Sequence, residues 1–268
     1  MSFFFKKRPQ FRIAVLGAGK VAGHLAPALE DAGHQVVAVY SRRPGPAEQI
    51  LQHLYEAEAV HDTDFTGSSA EVFILAVSDD AIEQLSENLR LPPEVMLLHT
   101  SGGRSMEVLQ RADTSRRGVL YPLQTFSEGQ PVNFKQVPIL VEADNEANLK
   151  QVRRLAESLS DHVLEVASAQ RQLLHTAAVF ACNFTNHMMH LAEEIVEDQG
   201  ISFELLKPLI QETLEKAMHS RPSDAQTGPA VRNDHQTMAE HLRLLRNLDP
   251  EVAELYQLIS HSIQQHHR

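Results

Sequence analysis

The chain has one cysteine, Cys182, so no disulfide can form within it. Covalent cross-linking is thereby excluded as a source of stability, and a reducing compartment fits. Basic residues are scarce: 24 Lys and Arg stand against 35 Asp and Glu, a formal charge of -11. That balance excludes a surface made to neutralise phosphates, so neither nucleic acid nor an anionic membrane is an expected partner. No apolar run is long enough to span a bilayer. Phe3-Phe4-Phe5 followed by Lys6-Lys7-Arg8 is too short for a signal sequence, and its charges lie on the wrong side. Residues 1–10 read as a loose leader, and the expected location is cytoplasmic. No G-x-S-x-G or H-E-x-x-H motif occurs, nor any internal repeat. The 15 histidines form no cluster with ligand spacing beyond His187 and His190 on one helix face, so no metal is expected.

What is present is enough apolar material for an ordinary core, 43% of 268 residues, and enough length for two domains. The organising stretch is Arg12 to Gly33. Ile13, Ala14, Val15 and Leu16 form a short apolar run, read as a buried strand. Gly17-x-Gly19-x-x-Ala22 turns the chain into a helix with Val21, Leu25, Ala28 and Leu29 on one side, and Gly33 stops it. Gly17 makes the tight turn, Gly19 lets a pyrophosphate approach the backbone, and Ala22 or Gly23 lets helix and strand sit close. The first turn of the helix, from Lys20 and Val21, presents free N–H groups to an anion. A second strand, Gln35 to Tyr40, completes the β-α-β context that a dinucleotide site requires.

An NAD-specific site carries an acidic residue near the end of this second strand. Here Ser41-Arg42-Arg43 stands there instead. Two guanidiniums and a hydroxyl suit a 2′-phosphate, which points to NADP; the plain alternative is a solvated basic loop.

Further along, a helix is expected at 46–57, then strands at 59–60, 72–77, 95–99 and 118–121. Ser78 is placed to cap a helix over 80–89. Strands at 138–142 and 162–166 flank a helix at 145–159. Such alternation predicts an α/β fold of the Rossmann type, a doubly wound and mostly parallel sheet, with ligands beyond the strand C-termini. Val77, Ser78, Thr100, Ser101 and the Tyr121–Thr125 segment join the glycine turn as candidate rim residues. After Ser168 no strand signal recurs. Helices are expected at 168–199, 203–219, 235–247 and 250–266, with a frayed tail. The expected division is a dinucleotide-binding domain over 1–167 and an all-helical domain over 168–268.

From Leu173 to Phe184 the long helix is apolar nearly all round, and such a helix needs burial on every side. A core shared with a second subunit follows as the expectation. The polar exceptions are His175, Thr176, Asn183, Asn186 and His187. In regular α-geometry, positions 175 and 183 lie about 80° apart and 176 and 183 about 20° apart. They either line a site or satisfy one another in a core. Arg232, just ahead of the helix at 235, marks an anion site or simply a capped surface helix.

The segments GAGKVAGHLAPAL, YPLQTF, LLHTAAVFACNFTNHM and AQTGPAVRND together resemble one family. It is the family of NADP-dependent oxidoreductases with a Rossmann-like N-terminal domain and a helical DUF2520 C-terminal domain. The family is similar in plan to pyrroline-5-carboxylate reductase and to the 6-phosphogluconate and β-hydroxyacid dehydrogenases. The resemblance implies a homodimer formed through the helical domain and an active cleft between domains. The β-hydroxyacid dehydrogenases carry a lysine four residues before an asparagine on the first long helix. If Asn183 matches that asparagine, Val179 stands where the lysine would be. His175, one turn earlier, is the substitute proton donor, with Asn183 orienting substrate and Arg232 holding an anionic group. Two functions stay open: an NADP-dependent oxidoreductase acting on a small carbonyl or imine compound, and an NADP(H) sensor without chemistry. The sequence does not name the substrate.

Overall fold

The computed structural model describes residues 10–267; the leader over 1–9 and Arg268 of the tail lie outside the described residues. The backbone forms two compact units, dividing between Phe180 and Ala181.

The first unit is built on one sheet. Its strands are β1 (Arg12–Leu16), β2 (Gln35–Tyr40), β3 (Glu58–Val60), β4 (Val72–Leu75), β5 (Met96–His99), β6 (Arg116–Pro122), β7 (Ile139–Ala143) and β8 (Val163–Glu165). They lie side by side in the order β3-β2-β1-β4-β5-β6-β7-β8. Every neighbouring pair is parallel except β6 and β7. The expected doubly wound, mostly parallel sheet is therefore present. The exception has a local cause. Beyond Pro122 the chain returns through a loop and a 3₁₀ turn (Phe134–Gln136), with no crossover helix, so β7 runs back antiparallel.

Helices cover both faces: α1 (Lys20–Asp31), α2 (Pro46–Leu51), α3 (Asp79–Asn88) and α4 (Glu146–Leu159); α5 (Ser168–Ala178) follows β8. Ile13 and Val15 of β1 meet Leu25 and Leu29 of α1 and Val152 and Leu155 of α4 on one face. Ala14 and Leu16 share the other face with Phe73, Leu75 and Ile82. The apolar runs are continuous because both faces of these strands are dry. Helix α2 stops at Leu51, short of the expected 57. Turn bonds at His53 and Leu54 replace the helix, and the Tyr55 amide donates to Glu30 Oε2 at 3.0 Å.

Helix α5 ends at Ala178, and a π-helical turn (Val179–Phe184) follows, where the sequence predicts one regular helix to 199. A π turn widens the winding, so the regular angular spacing expected between 175 and 183 does not apply. The stretch expected to be buried all round is open within the single chain: Leu173 is 73% exposed, Leu174 39%, Phe180 65% and Phe184 47%.

The second unit is helical among the described residues: α6 (Thr185–Glu197), α7 (Lys207–His219), a short α8 (Pro222–Ala225), α9 (His235–Leu248) and α10 (Pro250–His266). Gly200, with φ +70°, follows α6 as a left-handed helix stop. Asp249 caps α10 by accepting from the Glu251 and Val252 amides. No helix among the described residues is long and apolar enough to cross a membrane.

Candidate functional site

The sheet order reverses at β1, whose neighbours are β2 and β4, so the crevice beyond their C-terminal ends is the switch point. A cavity of about 780 Å³ lies there. The expected residues Gly17, Gly19, Lys20, Val21, Ser41, Arg42, Arg43, Val77 and Ser78 all line it. Gly17 has φ +127°, and a Cβ on it would lie 2.3 Å from the Ala76 carbonyl oxygen, so this turn admits only glycine. Gly19 faces open space at the start of α1, and no side chain caps the helix. Among the described residues no ion pair or hydrogen bond engages either guanidinium of Arg42 or Arg43. The Ser41 hydroxyl donates to the Arg43 carbonyl at 2.9 Å, which holds the loop in shape. An open cradle over the glycine turn, a free helix N-terminus and two uncommitted guanidiniums fit a phosphorylated dinucleotide.

Three expected residues lie off this cavity. Ala22 is fully buried and supports the close approach of α1 to the sheet. Thr100 and Ser101 are buried in the loop after β5. The Thr100 hydroxyl donates to the Leu75 carbonyl at 3.2 Å, and Ser101 Oγ accepts from the Gly103 and Arg104 amides at 3.1 and 3.0 Å. Ser78 occupies the N-cap of α3 without a side-chain capping bond, and the helix begins one residue earlier than expected.

A second cluster adjoins the cavity through Ser78 and Asp79. The Tyr121 hydroxyl lies 3.0 Å from His175 Nδ1, joining the end of β6 to α5. The backbone of Gly102 sits beneath both rings. A Cβ there would fall 2.6 Å from Tyr121 Cζ and 2.7 Å from His175 Nδ1, so any side chain would displace the pair. Burial pushes the Tyr121 phenol above its ordinary value; the Asp79 charge adds to this, and Arg171 partly offsets it. The phenol therefore stays protonated at neutral pH. The sequence reading assigned Tyr121 only to the rim and gave Asp79 no role beyond a helix start. A hydroxyl and a carboxylate at the C-terminal ends of buried parallel strands were the available signal.

Arg171, one helical turn before His175, is fully buried. Its Nη1 donates to Glu142 Oε2, and its Nη2 donates to the Arg104 carbonyl at 2.7 Å and to Ser168 Oγ at 3.1 Å. Ser168 Oγ donates to Glu142 at 2.7 Å and accepts from the Met106 amide at 3.0 Å. Gln172 Nε2 adds a bond to the Gly103 carbonyl at 2.9 Å. These bonds hold α5 to β7 and to the 101–106 loop within the first unit.

Asn183 and Arg232 belong to the second unit. Asn183 is exposed in the π turn, and Arg232 is exposed ahead of α9. Asp234 caps that helix, accepting from the Thr237 amide at 3.1 Å and its hydroxyl at 2.8 Å. Those bonds, with smaller help from Arg232, hold the Asp234 carboxyl below its ordinary value. The anion at this helix N-terminus is thus the chain's own carboxylate. Gln264 of α10 pins the same loop through Asn233 at 3.0 Å.

The glycine turn at the switch point defines a Rossmann-like dinucleotide-binding class of protein. A Rossmann-like domain model matches residues 5–125, and a model of a domain of unknown function, DUF2520, matches residues 137–263. A candidate NADP oxidoreductase from Bacteroides fragilis is 37% identical, with 96% of this chain and 98% of that chain covered and a TM-score of 0.84. A protein from Thermotoga maritima is 23% identical, with 95% and 98% covered and a TM-score of 0.70. A reductive aminase from Aspergillus terreus, solved with NADPH and ethyl-5-oxohexanoate, shares the fold at 15% identity, 96% and 95% coverage and a TM-score of 0.67. No functionally curated protein matches. The chain belongs to the NADP oxidoreductase family that joins a Rossmann-like domain to a DUF2520 domain, as the sequence resemblance implied.

His99, at the end of β5, generates a pH prediction. Its Nδ1 accepts from the Ser101 amide at 3.1 Å. Burial, aided by the nearby positive charge of Arg171, pushes its pKa from 6.5 down to about 3. Below pH 6.5 the unfolded chain takes up a proton that the native state refuses, so stability falls as pH drops toward about 3. The expected slope from this one group approaches about 1.4 kcal/mol per pH unit. Urea denaturation between about pH 7 and about pH 5 should be flatter in His99→Asn, in the range where few carboxylates titrate. An equal slope in both proteins would show that His99 is not the acid-sensitive group.

Proposed function

We propose that the protein is an NADP-dependent oxidoreductase that transfers hydride to or from a small carbonyl or imine compound. The observation that carries this reading is the Tyr121–His175 pair at the same sheet end as a cavity lined by the glycine turn, Arg42 and Arg43. The likeness to a candidate NADP oxidoreductase and to an NADPH-bound reductive aminase supports it. The glycine turn and the α1 N-terminus hold the pyrophosphate, and Arg42 and Arg43 hold the 2′-phosphate. NADPH bound there supplies the hydride.

The proton comes from the chain itself. An imidazole can both take up and give up a proton at its ring nitrogens. With His175 protonated, Nδ1–H donates to the Tyr121 oxygen, and the phenol proton turns toward the substrate. Passing that proton to a developing alkoxide while taking one from Nδ1 leaves both side chains neutral. The raised phenol pKa opposes the tyrosinate that would break this relay. Such a relay supports a reaction over passive sensing of the cofactor and fills the role of the lysine replaced at Val179. Asn183 and Arg232 stand outside this proton relay, and their proposed roles remain orienting the substrate and holding an anionic group.

Three measurements test the reading. Calorimetry should show NADPH bound in preference to NADH. Arg42→Ala with Arg43→Ala should remove that preference at a cost of about 2–5 kcal/mol in NADPH binding. Equal wild-type affinities would end the NADP assignment. A screen with small imines, 2-oxo acids and semialdehydes should reveal turnover. In His175→Asn and Tyr121→Phe that turnover should fall by about 10²–10⁴-fold while NADPH affinity and melting temperature hold. Full activity in stably folded variants would remove the pair from the mechanism.

The reading also includes a homodimer through the helices. Leu173, Phe180, Leu205, Leu209, Met218 and Leu258 are large apolar side chains left open in one chain, more than a monomer ordinarily shows. Sedimentation at micromolar concentration should return twice the 30.0 kDa chain mass. A stable monomer would overturn this part.

A further inference from the structure

We propose that Glu48 and His61, which do not line the dinucleotide cavity, set its preference for NADPH over NADH by clasping the loop that carries Arg42 and Arg43. The inference deepens the NADP reading and rests on it, since those two guanidiniums are what hold the 2′-phosphate there.

The loop runs from Ser41, just past β2, to Gly45, just ahead of α2. Both of its ends are tied. The Ser41 amide donates to the Val60 carbonyl at 3.0 Å, and the Ser41 carbonyl accepts from His61 Nδ1 at 2.7 Å. At the far end the Gly45 amide donates to Glu48 Oε2 at 2.6 Å. The two anchors are joined to each other, because His61 Nε2 lies 3.3 Å from Glu48 Oε1. A continuous path therefore links the Ser41 carbonyl, the imidazole, the carboxylate and the Gly45 amide, and it closes around Arg42, Arg43 and Pro44. Carbonyl and carboxylate are both acceptors, so an imidazole protonated at both nitrogens completes the path. The amides of Glu48 and Gly45, and then His61, hold the Glu48 carboxyl below its ordinary value, which keeps it an acceptor. Gly45, with φ +106°, makes a left-handed turn that glycine adopts without strain.

What the clasp supplies is a backbone already ordered when the cofactor arrives. Arginine side chains lose rotamer freedom on gripping a phosphate, and a loop that ordered at the same moment would add a backbone loss. With Ser41 and Gly45 tied, and with Pro44 restricting the backbone between them, that second loss is small. NADH presents a hydroxyl in place of the 2′-phosphate and gains little from the arginines. The clasp therefore acts on NADPH and leaves NADH almost unaffected.

Two other roles for these residues lead to different outcomes. Glu48 is the third residue of α2, where a carboxylate accepting the N-cap amide is an ordinary helix start. In that role alone, its loss weakens both cofactors alike or lowers the melting temperature. Glu48 also carries a negative charge on the helix that follows the arginine loop. Acting through charge alone, its removal would strengthen the binding of a 2′-phosphate. Positioning gives the opposite sign. The side chains of His61 and Glu48 are 37% and 44% exposed, so their ion pair adds little to overall stability.

The test is calorimetry on the full-length protein, with NADPH and NADH titrated separately. Wild type should prefer NADPH. Glu48→Ala and His61→Ala should each lower that preference about tenfold, with NADH affinity and melting temperature unchanged. His61→Asn, whose side-chain amide can donate to the Ser41 carbonyl in place of Nδ1, should recover part of the loss. His61→Ala leaves Glu48 at the start of α2, so it decides the matter if Glu48→Ala does not fold. A preference kept or increased in a stably folded Ala variant would overturn the proposal. So would equal weakening of both cofactors, or His61→Asn no better than His61→Ala. Wild type binding both cofactors equally would defeat the NADP reading and this inference with it, whereas a wild-type preference that the variants keep defeats the inference alone.

Discussion

A guanidinium cut off from water is the constraint on which the candidate site depends. Removing a charge of that kind from solvent costs several kcal/mol unless every side of it is answered. Arg171 answers it at its two terminal nitrogens, with Glu142 from β7, the Arg104 carbonyl from the loop after β5, and the hydroxyl of Ser168 on its own helix, while its buried Nε has no partner among the described residues. Three segments far apart in the chain are thereby held at one point. His175 lies four residues on, on the same face of α5, so the network that satisfies Arg171 also sets the imidazole over Gly102 and against Tyr121. The same charge acts beyond its contacts. It adds to the forces keeping His99 neutral, and it partly offsets the upward push on the Tyr121 phenol.

The parallel sheet supplies the second half of the arrangement. Because β1, β2, β4, β5 and β6 run the same way, the segments that leave them collect at one edge. The strands themselves are committed to the core, and their exits carry the chemistry. Gly17, Ser41 and Ser78 follow β1, β2 and β4 toward the dinucleotide cavity, while Asp79 and Gly103 follow β4 and β5, and Tyr121 stands at the end of β6, toward the proton relay. Cofactor cradle and proton relay are therefore adjacent by topology, with Ser78 and Asp79 as the covalent join. Glycine is required at Gly17 and Gly102 for different reasons, a left-handed turn against the Ala76 carbonyl and a bed for two aromatic rings.

The sequence by itself determined whatever is written in neighbouring residues. The apolar run of β1, the glycine turn and the start of α1 are a local pattern, and so is the pair of arginines standing where an acid marks NAD sites. His175 was visible for a related reason: a polar residue in an apolar helix breaks the local period. What only the tertiary structure decided was partnership. Tyr121 and His175 are 54 positions apart. Nothing near Arg171 in the sequence shows that Glu142 will meet it. Asp79 reads as an ordinary helix start, and Asp234 changes the meaning of Arg232 by occupying the helix end beside it. The π turn after Ala178 and the reversed direction of β7 likewise leave no periodic trace. Hydrophobic period and turn chemistry act between near neighbours, whereas the partner of a buried charge or hydroxyl is chosen by the packing of segments distant in the chain.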